Sequence, residues 1–311
     1  MSRDAFSSDP RNEHGAGRQQ GNRSWGARVS QRSPRPEAPP IDNNALRLPD
    51  RPPEIQRKPE ALDSPRVHEL GDRTYLVRES ELQTLAEVGS FRAVAAPDLA
   101  RINYRGDSQR MEREIRRLKE QSLLSEKTVR GDRTKTIRLF ALTKKGARLA
   151  RQSGIVPEGQ ALYHGFVKSR EAKHDADLYR LYHAQAERIE RTGGRPTRVV
   201  LDFELKRHLN RDLAAIPADE LTEEMREQIA ERHGLAVVNG KIPVPDLRVE
   251  YDTAEMEHKH LNLELATRNY RPRTLAEKAK AGFSLYAPRE DASRLRRVLD
   301  EREITAEILS L

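Results

Sequence analysis

The sequence contains no cysteine, which excludes disulfides and every thiolate metal site. Any metal it binds must be taken by carboxylates, carbonyls or histidines, a donor set that favours Mg²⁺ or Mn²⁺. Aromatic residues are scarce at 5%, and 36% hydrophobic against 34% charged residues is low for one compact globule of 311 residues. Part of the chain is therefore expected to stay outside any core. No run approaches the ~20 apolar positions that a membrane span requires. The opening residues, MSRDAFSSDPRNEHGAG, lack the apolar stretch of a signal peptide, so a cytoplasmic protein with no membrane partner is expected. At about 150 residues per domain, the length suggests two domains plus extensions.

What is present is positive charge, and it is unevenly placed. Counting Lys and Arg against Asp and Glu gives +1 over residues 1–72, +9 over 73–152 and −2 over 153–311, within a total of +8. A positive field confined to one segment is the footprint of a phosphate-backbone binder, and double-stranded DNA is the expected partner.

The first segment holds ten of the eighteen prolines among Gly, Ser, Asn, Gln and Arg, without a period. Such a composition cannot bury enough apolar surface to offset ordering entropy, so residues 1–72 are expected to form a disordered arm. From Leu76 the pattern becomes helical. Glu79, Ser80 and Glu81 precede a stripe of Leu82, Leu85, Ala86 and Val88, which Gly89 weakens. A second short helix fits Ala96 to Ile102, with Pro97 early enough for its missing N–H to be harmless. Asp107 or Ser108 caps a third helix, which runs to about Gln121. Strands follow at Leu124 to Val129 and Lys135 to Ala141, then a helix from about Thr143. In the second strand Phe140 falls on the polar side of the alternation.

Helix, helix, helix, hairpin, helix is the winged helix-turn-helix order, expected over residues 73–152. The run from Arg138 to Leu149 resembles the strand-to-helix ending of bacterial winged-helix regulators, through Leu142-Thr143, Gly146 and Leu149. In such a fold the third helix enters the major groove with its N-terminal turns towards the bases. Gln109, Arg110 and Arg113 are then the candidate base contacts, since Gln pairs with adenine and Arg with guanine. Arg117 and Lys119 would reach phosphates, and Arg130, Arg133 and Lys135 would line the wing. Intrahelical pairs such as Arg110–Glu114 are also available and would tie up some of this charge.

Residues 160–311 read as a small α/β or α+β domain, which makes the chain as a whole α+β. A long helix fits His174 to Arg191, a strand Thr197 to Leu205, a charged helix Asp219 to His233, and a tight turn Asn239-Gly240. Two strands follow, near Pro245 to Tyr251 and His260 to Ala266, and then a helix from about Thr274 to Tyr286. Alternation puts Asp246, Arg248 and Glu250 on one face, and Asn262, Glu264 and Ala266 on one face of the next strand. If these strands pair, Asp246 and Glu264 converge, and two carboxylates with an open side can hold a divalent ion. His258 and His260 share a strand face and read as structural rather than as metal ligands.

Pro245-Asp246 followed by Glu264 resembles the PD-(D/E)xK nuclease superfamily, with Ala266 where that pattern has lysine. The resemblance implies Asp246 and Glu264 as catalytic metal ligands for Mg²⁺ or Mn²⁺, with Glu204 or Asp175 as a further acid. Lys278 or Lys280 would take the missing lysine's place. The whole layout resembles the replication-relaxation family of plasmids and integrative elements, a winged helix joined to a degenerate nuclease-like domain. The shared marks are His174-Asp175, Glu204, Pro245-Asp246, Glu264, and Lys280 with Tyr286. It implies a role in replication or DNA relaxation, replication proteins as partners, and either a nicking enzyme or a domain that has lost cutting. The alternative reading is a winged-helix transcriptional regulator whose C-terminal domain senses a ligand or forms a homodimer.

Overall fold

A computed structural model describes residues 63–130, 136–166, 169–267, 270–300 and 308–310. The arm expected over residues 1–72 lies outside the described residues as far as residue 62. Its last part is folded, which corrects that boundary. Strands β1 (Arg66–Leu70) and β2 (Arg73–Val77) form an antiparallel hairpin. The reason is local: Asp63, buried, accepts the backbone N–H groups of Glu79 and Ser80 at 3.0 and 3.2 Å. Those are donors that a helix start leaves without intrahelical partners.

The helix they begin, α1 (Glu79–Gly89), is followed by β3 (Val94–Ala95), α2 (Ala96–Ile102) and α3 (Ser108–Glu120). Then come β4 (Leu124–Arg130), β5 (Thr136–Leu142) and α4 (Lys144–Gln152). Asp107 caps α3 by accepting the N–H of Arg110, and Met111, Ile115 and Leu118 are buried, as the spacing predicts. The three strands form an antiparallel sheet in the order β3-β5-β4. Phe140, expected on the polar side, is fully buried. The central strand β5 is covered on both faces, Phe140 packing with α1 and α3 and Leu139 packing with Ala172 and Ala176 from farther along the chain.

The Leu142-Thr143-x-x-Gly146 signal has a physical basis. Thr143 Oγ1 accepts the N–H of Gly146 at 3.0 Å and donates towards the carbonyls of Ser122 and Leu123. A Cβ at position 146 would lie 2.0 Å from the Leu123 carbonyl oxygen, so only glycine fits.

The second module begins with α5 (Ser169–Arg191), then β6 (Arg195–Leu201) and α6 (Asp202–Ala214). The strand expected to reach Leu205 stops at Leu201, because Asp202 and Glu204 occupy a first helical turn and Leu205 and Leu209 bury at i, i+4. Next come α7 (Glu223–Arg232), β7 (Leu247–Asp252) and β8 (His258–Leu265). They are followed by α8 (Pro272–Lys280), β9 (Ser284–Ala287), α9 (Arg289–Asp300) and β10 (Ile308–Ser310). Asn239 and Gly240 both have positive φ in a turn closed by Val238 and Lys241. The expected helix to Tyr286 is also corrected. Gly282, at φ +82°, ends α8, and Tyr286 lies buried on β9.

The five-stranded sheet has the order β10-β9-β8-β7-β6. Its pairs β6·β7 and β7·β8 are antiparallel, whereas β8·β9 and β9·β10 are parallel. The fold is thus mixed α+β. One continuous apolar cluster runs from Leu85 and Phe91 through Tyr179 to Leu247 and Leu263. The connection between the modules is pinned by Gln160, which bonds both the N–H and the carbonyl of Val199. No helix of the described residues is long and apolar enough to cross a membrane.

Two substitutions check this packing. Gly146→Ala is expected to lower the denaturant midpoint, because either Leu123 or the α4 start must shift. Glu114 is fully buried and takes bonds from Ser80, Tyr104 and Arg110 at 2.8–2.9 Å. Glu114→Ala removes the buried acceptor that those donors share and should cost about 3 kcal/mol in chemical unfolding.

Candidate functional site

Two groups of residues carry chemistry. The first is the outer face of α3. Gln109, Arg113, Arg116 and Lys119 are exposed there, opposite the buried Met111, Ile115 and Leu118. Lys119 also bonds Glu126 at 2.7 Å but remains 42% exposed. Two of the residues expected to touch DNA are placed differently. Arg110 is turned inward to Glu114 at 2.8 Å and Asp63 at 3.8 Å, with 13% of its side chain exposed. Arg117 reaches across to the buried Glu81 at 2.5 Å. Their charge neutralises carboxylates that would otherwise be stranded in the core, a stronger demand than solvent contact. Arg130 is exposed at the end of β4, while Arg133 and Lys135 lie outside the described residues.

The second group sits where β7 and β8 lie side by side. Register pairs Leu247 with Leu263, which brings Asp246 and Glu264 together as the alternation predicts. Glu264 accepts the backbone N–H of Asp246 at 3.1 Å, and Asp246 accepts that of Leu265 at 3.0 Å. His174, from α5, approaches Asp246 at 3.3 Å and Asp175 at 3.9 Å. Lys278, from α8, lies 2.8 Å from Glu264. Tyr270 donates its hydroxyl to the same Glu264 oxygen, Oε1. Spacing did not single out Tyr270, because it lies in the irregular segment after β8.

The charges in this cluster balance one another. Burial, then the negative charge of Asp246, pushes Glu264 up to about 7, against the pull of Lys278 and Tyr270. Burial also works on Asp246, but the hydrogen bond and charge of His174, with help from Lys278 and the Leu265 N–H, hold it below the ordinary 3.8. Burial opposes the His174 imidazolium, yet its bonds to Asp175 and Asp246 outweigh that and push it up to about 10.

Several expected members stay outside the cluster. Glu204 pairs with Arg198 and accepts from Tyr163 at 3.4 Å, so its ties run to β6 and the inter-module connection. Lys280 is exposed at the end of α8, and Tyr286 is buried under the sheet, so this pair does not converge. His258 bonds Asp252 at 3.2 Å and His260 faces the Gly234 carbonyl. Arg248 is buried and spans from Asn262 to the carbonyls of His233 and Gly234, tying the end of α7 to the sheet.

The sequence resemblance implies Mg²⁺ or Mn²⁺ at Asp246, Glu264, Glu204 and Asp175. The donor set does not fit that role as it stands. Asp246 and Glu264 already face an imidazolium, an ammonium, a phenol and two backbone N–H groups. Among the described residues no three acidic or histidine side chains gather so that they could hold a metal ion.

Neither a family model, nor a curated protein, nor a solved structure matches the chain.

The ionisation pattern has a stated pH dependence. Glu264 is raised, so its contribution to stability is full below about pH 4.5 and is lost as pH rises through about 7. Glu264→Gln should flatten stability across that window in pH-resolved urea unfolding. For His174, also raised, the contribution is full below about 6.5 and is lost through about 10. Asp246→Asn should lower the imidazole midpoint well below the wild-type value in an NMR titration.

Proposed function

We propose that the chain is a DNA-binding protein of a plasmid or integrative element, acting in replication or DNA relaxation. It docks on duplex DNA through a winged helix and carries a nuclease-like C-terminal domain that does not cut. The observation that carries this reading is the exposed face of α3, where Gln109, Arg113, Arg116 and Lys119 stand opposite an apolar buried face. In this reading the antiparallel β4·β5 pair serves as the wing along the DNA backbone.

The residue roles follow from placement. Gln109 and Arg113, early on α3, face the bases, while Arg116 and Lys119 meet phosphates. Arg110 and Arg117 hold the helix in place instead. The second module supports kinship with the PD-(D/E)xK superfamily and the replication-relaxation family. Three antiparallel strands lead through α8 to a parallel fourth, and His174, Asp246, Glu264 and Lys278 meet where β7 begins and β8 ends, inside the sheet. In this reading the paired charges keep that site as a structural hub. His174 links α5 to β7, and Lys278 links α8 to β8.

The test is incubation with supercoiled plasmid in Mg²⁺ or Mn²⁺, beside salt titrations on a duplex oligonucleotide. Retarded, intact plasmid is the expected result. Nicking that disappears in Asp246→Ala would show a working nuclease and overturn the non-cutting assignment. Arg116→Ala with Lys119→Ala should reduce the log–log salt slope by about 0.9 for each phosphate no longer neutralised. Arg110→Ala should cost stability and leave the slope unchanged.

A further inference from the structure

The DNA-binding reading leaves one surface of the second module unexplained. The outer face of α6 carries Phe203, Lys206, Arg207 and Arg211, spaced i, i+3, i+4 and i+8 along the helix. Phe203 is 52% exposed, the largest apolar side chain on that face. The Arg92 guanidinium, from the loop after α1, stacks 5.5 Å from the ring centroid while pairing with Asp202 at 3.7 Å. One face of the ring thus has a cation beside it.

The charges around the ring have one sign in excess. Lys206 shares Asp202 with Arg92 at 2.7 Å and stays 54% exposed. Arg211 is 72% exposed beside Asp212, which also serves His233 at 2.9 Å. Arg207 is exposed and has no ion pair among the described residues. Four cations therefore surround two shared carboxylates, while Glu204 is turned inward to Arg198. From Phe203 to Arg211 the helix rises about 12 Å, enough for a short run of nucleotides.

We infer that this face of α6 is a second nucleic-acid surface and that it takes single-stranded DNA. A base stacks on the open face of Phe203, and Lys206, Arg207 and Arg211 follow the phosphates. The choice of single strand follows from the aromatic: base faces are available for stacking only where the duplex has opened, and an aromatic beside a basic track is the arrangement that accepts them without sequence preference. A lone basic face would serve duplex equally well. The surface also adjoins the carboxylate cluster, since the N–H of Asp202 holds the Asp246 carbonyl at 3.1 Å. The protein would then grip duplex through α3 and an opened strand through α6. That arrangement suits a protein acting where strands separate. The inference rests on the DNA-binding reading, but the two surfaces are tested apart.

The experiment is fluorescence anisotropy of the full chain with an oligo-dT strand and, separately, a duplex oligonucleotide. Phe203→Ala should weaken single-strand binding about 5- to 150-fold, the range for removal of one stacking aromatic, and leave duplex affinity unchanged. Phe203→Trp should keep single-strand affinity, with indole emission quenched on binding relative to wild type. Unchanged single-strand affinity in Phe203→Ala overturns the proposal, as does equal loss on both DNAs. A change in self-association alone overturns it too, in favour of a protein contact. Failure of the duplex arm, with no response to Arg116→Ala with Lys119→Ala, removes the α3 docking reading and leaves the α6 result to stand by itself.

Discussion

Helix α5 is apolar on two sides, and most of the architecture follows from how those sides are covered. Ala172 and Ala176 lie against β3 and β5 of the first module, small enough to let the helix approach the sheet closely. Leu178, Leu181 and Ile189 belong to the cluster that includes Val249 and Leu263 of the five-stranded sheet. Each such burial removes apolar surface from water, worth roughly 1.5–3 kcal/mol for a fully buried leucine. Neither sheet face could stay exposed without α5, so the two modules share a core. The same helix carries His174 to Asp246, His183 to Glu87 at 2.6 Å, and Arg180 to Asp98 at 3.5 Å. The candidate site and the junction between modules thus hang on one element.

Charge is used in two ways that composition cannot separate. Some cations serve as internal ties. Arg110 and Arg117 neutralise the buried Glu114 and Glu81, and Arg138 joins Glu112 to Glu126 at 2.7 and 3.0 Å. Lys278 and His174 do the same for Glu264 and Asp246. A buried carboxylate without its partner carries several kcal/mol of uncompensated desolvation, so these pairings take precedence over contact with solvent or ligand. The remaining cations, on α3 and α6, stay at the surface. They are the ones on which the functional proposals rest.

Local signals were legible where short-range physics decides structure. The α3 boundaries followed from Asp107 as a cap and from Met111, Ile115 and Leu118 at helical spacing. The α4 start followed from Thr143 and Gly146, and the pairing of Asp246 with Glu264 from period-two alternation. Readings failed where a distant segment intervened. Phe140 looked solvent-facing because nothing in β5 announces that both its faces are covered, the Phe140 side by the cluster that includes α1 and the Leu139 side by α5. The stretch Asp202–Leu205 looked like more strand, yet its acidic residues favour a helix start. Tyr286 looked helical until Gly282 is seen to turn the chain back into the sheet.

The sequence by itself determined the order of helices α1 to α4 with strands β4 and β5, the concentration of positive charge in residues 73–152, and the meeting of two acids on neighbouring strands. Each depends on interactions within a few residues or on strict alternation, which a linear pattern records. Only the tertiary structure decided which arginines point inward, that Lys278 rather than Lys280 reaches Glu264, and that Glu204 turns to Arg198. It also decided that Phe203 stands exposed beneath Arg92. These are choices among chemically equivalent side chains, settled by where buried charge needed a partner, and spacing along the chain carries no trace of that need.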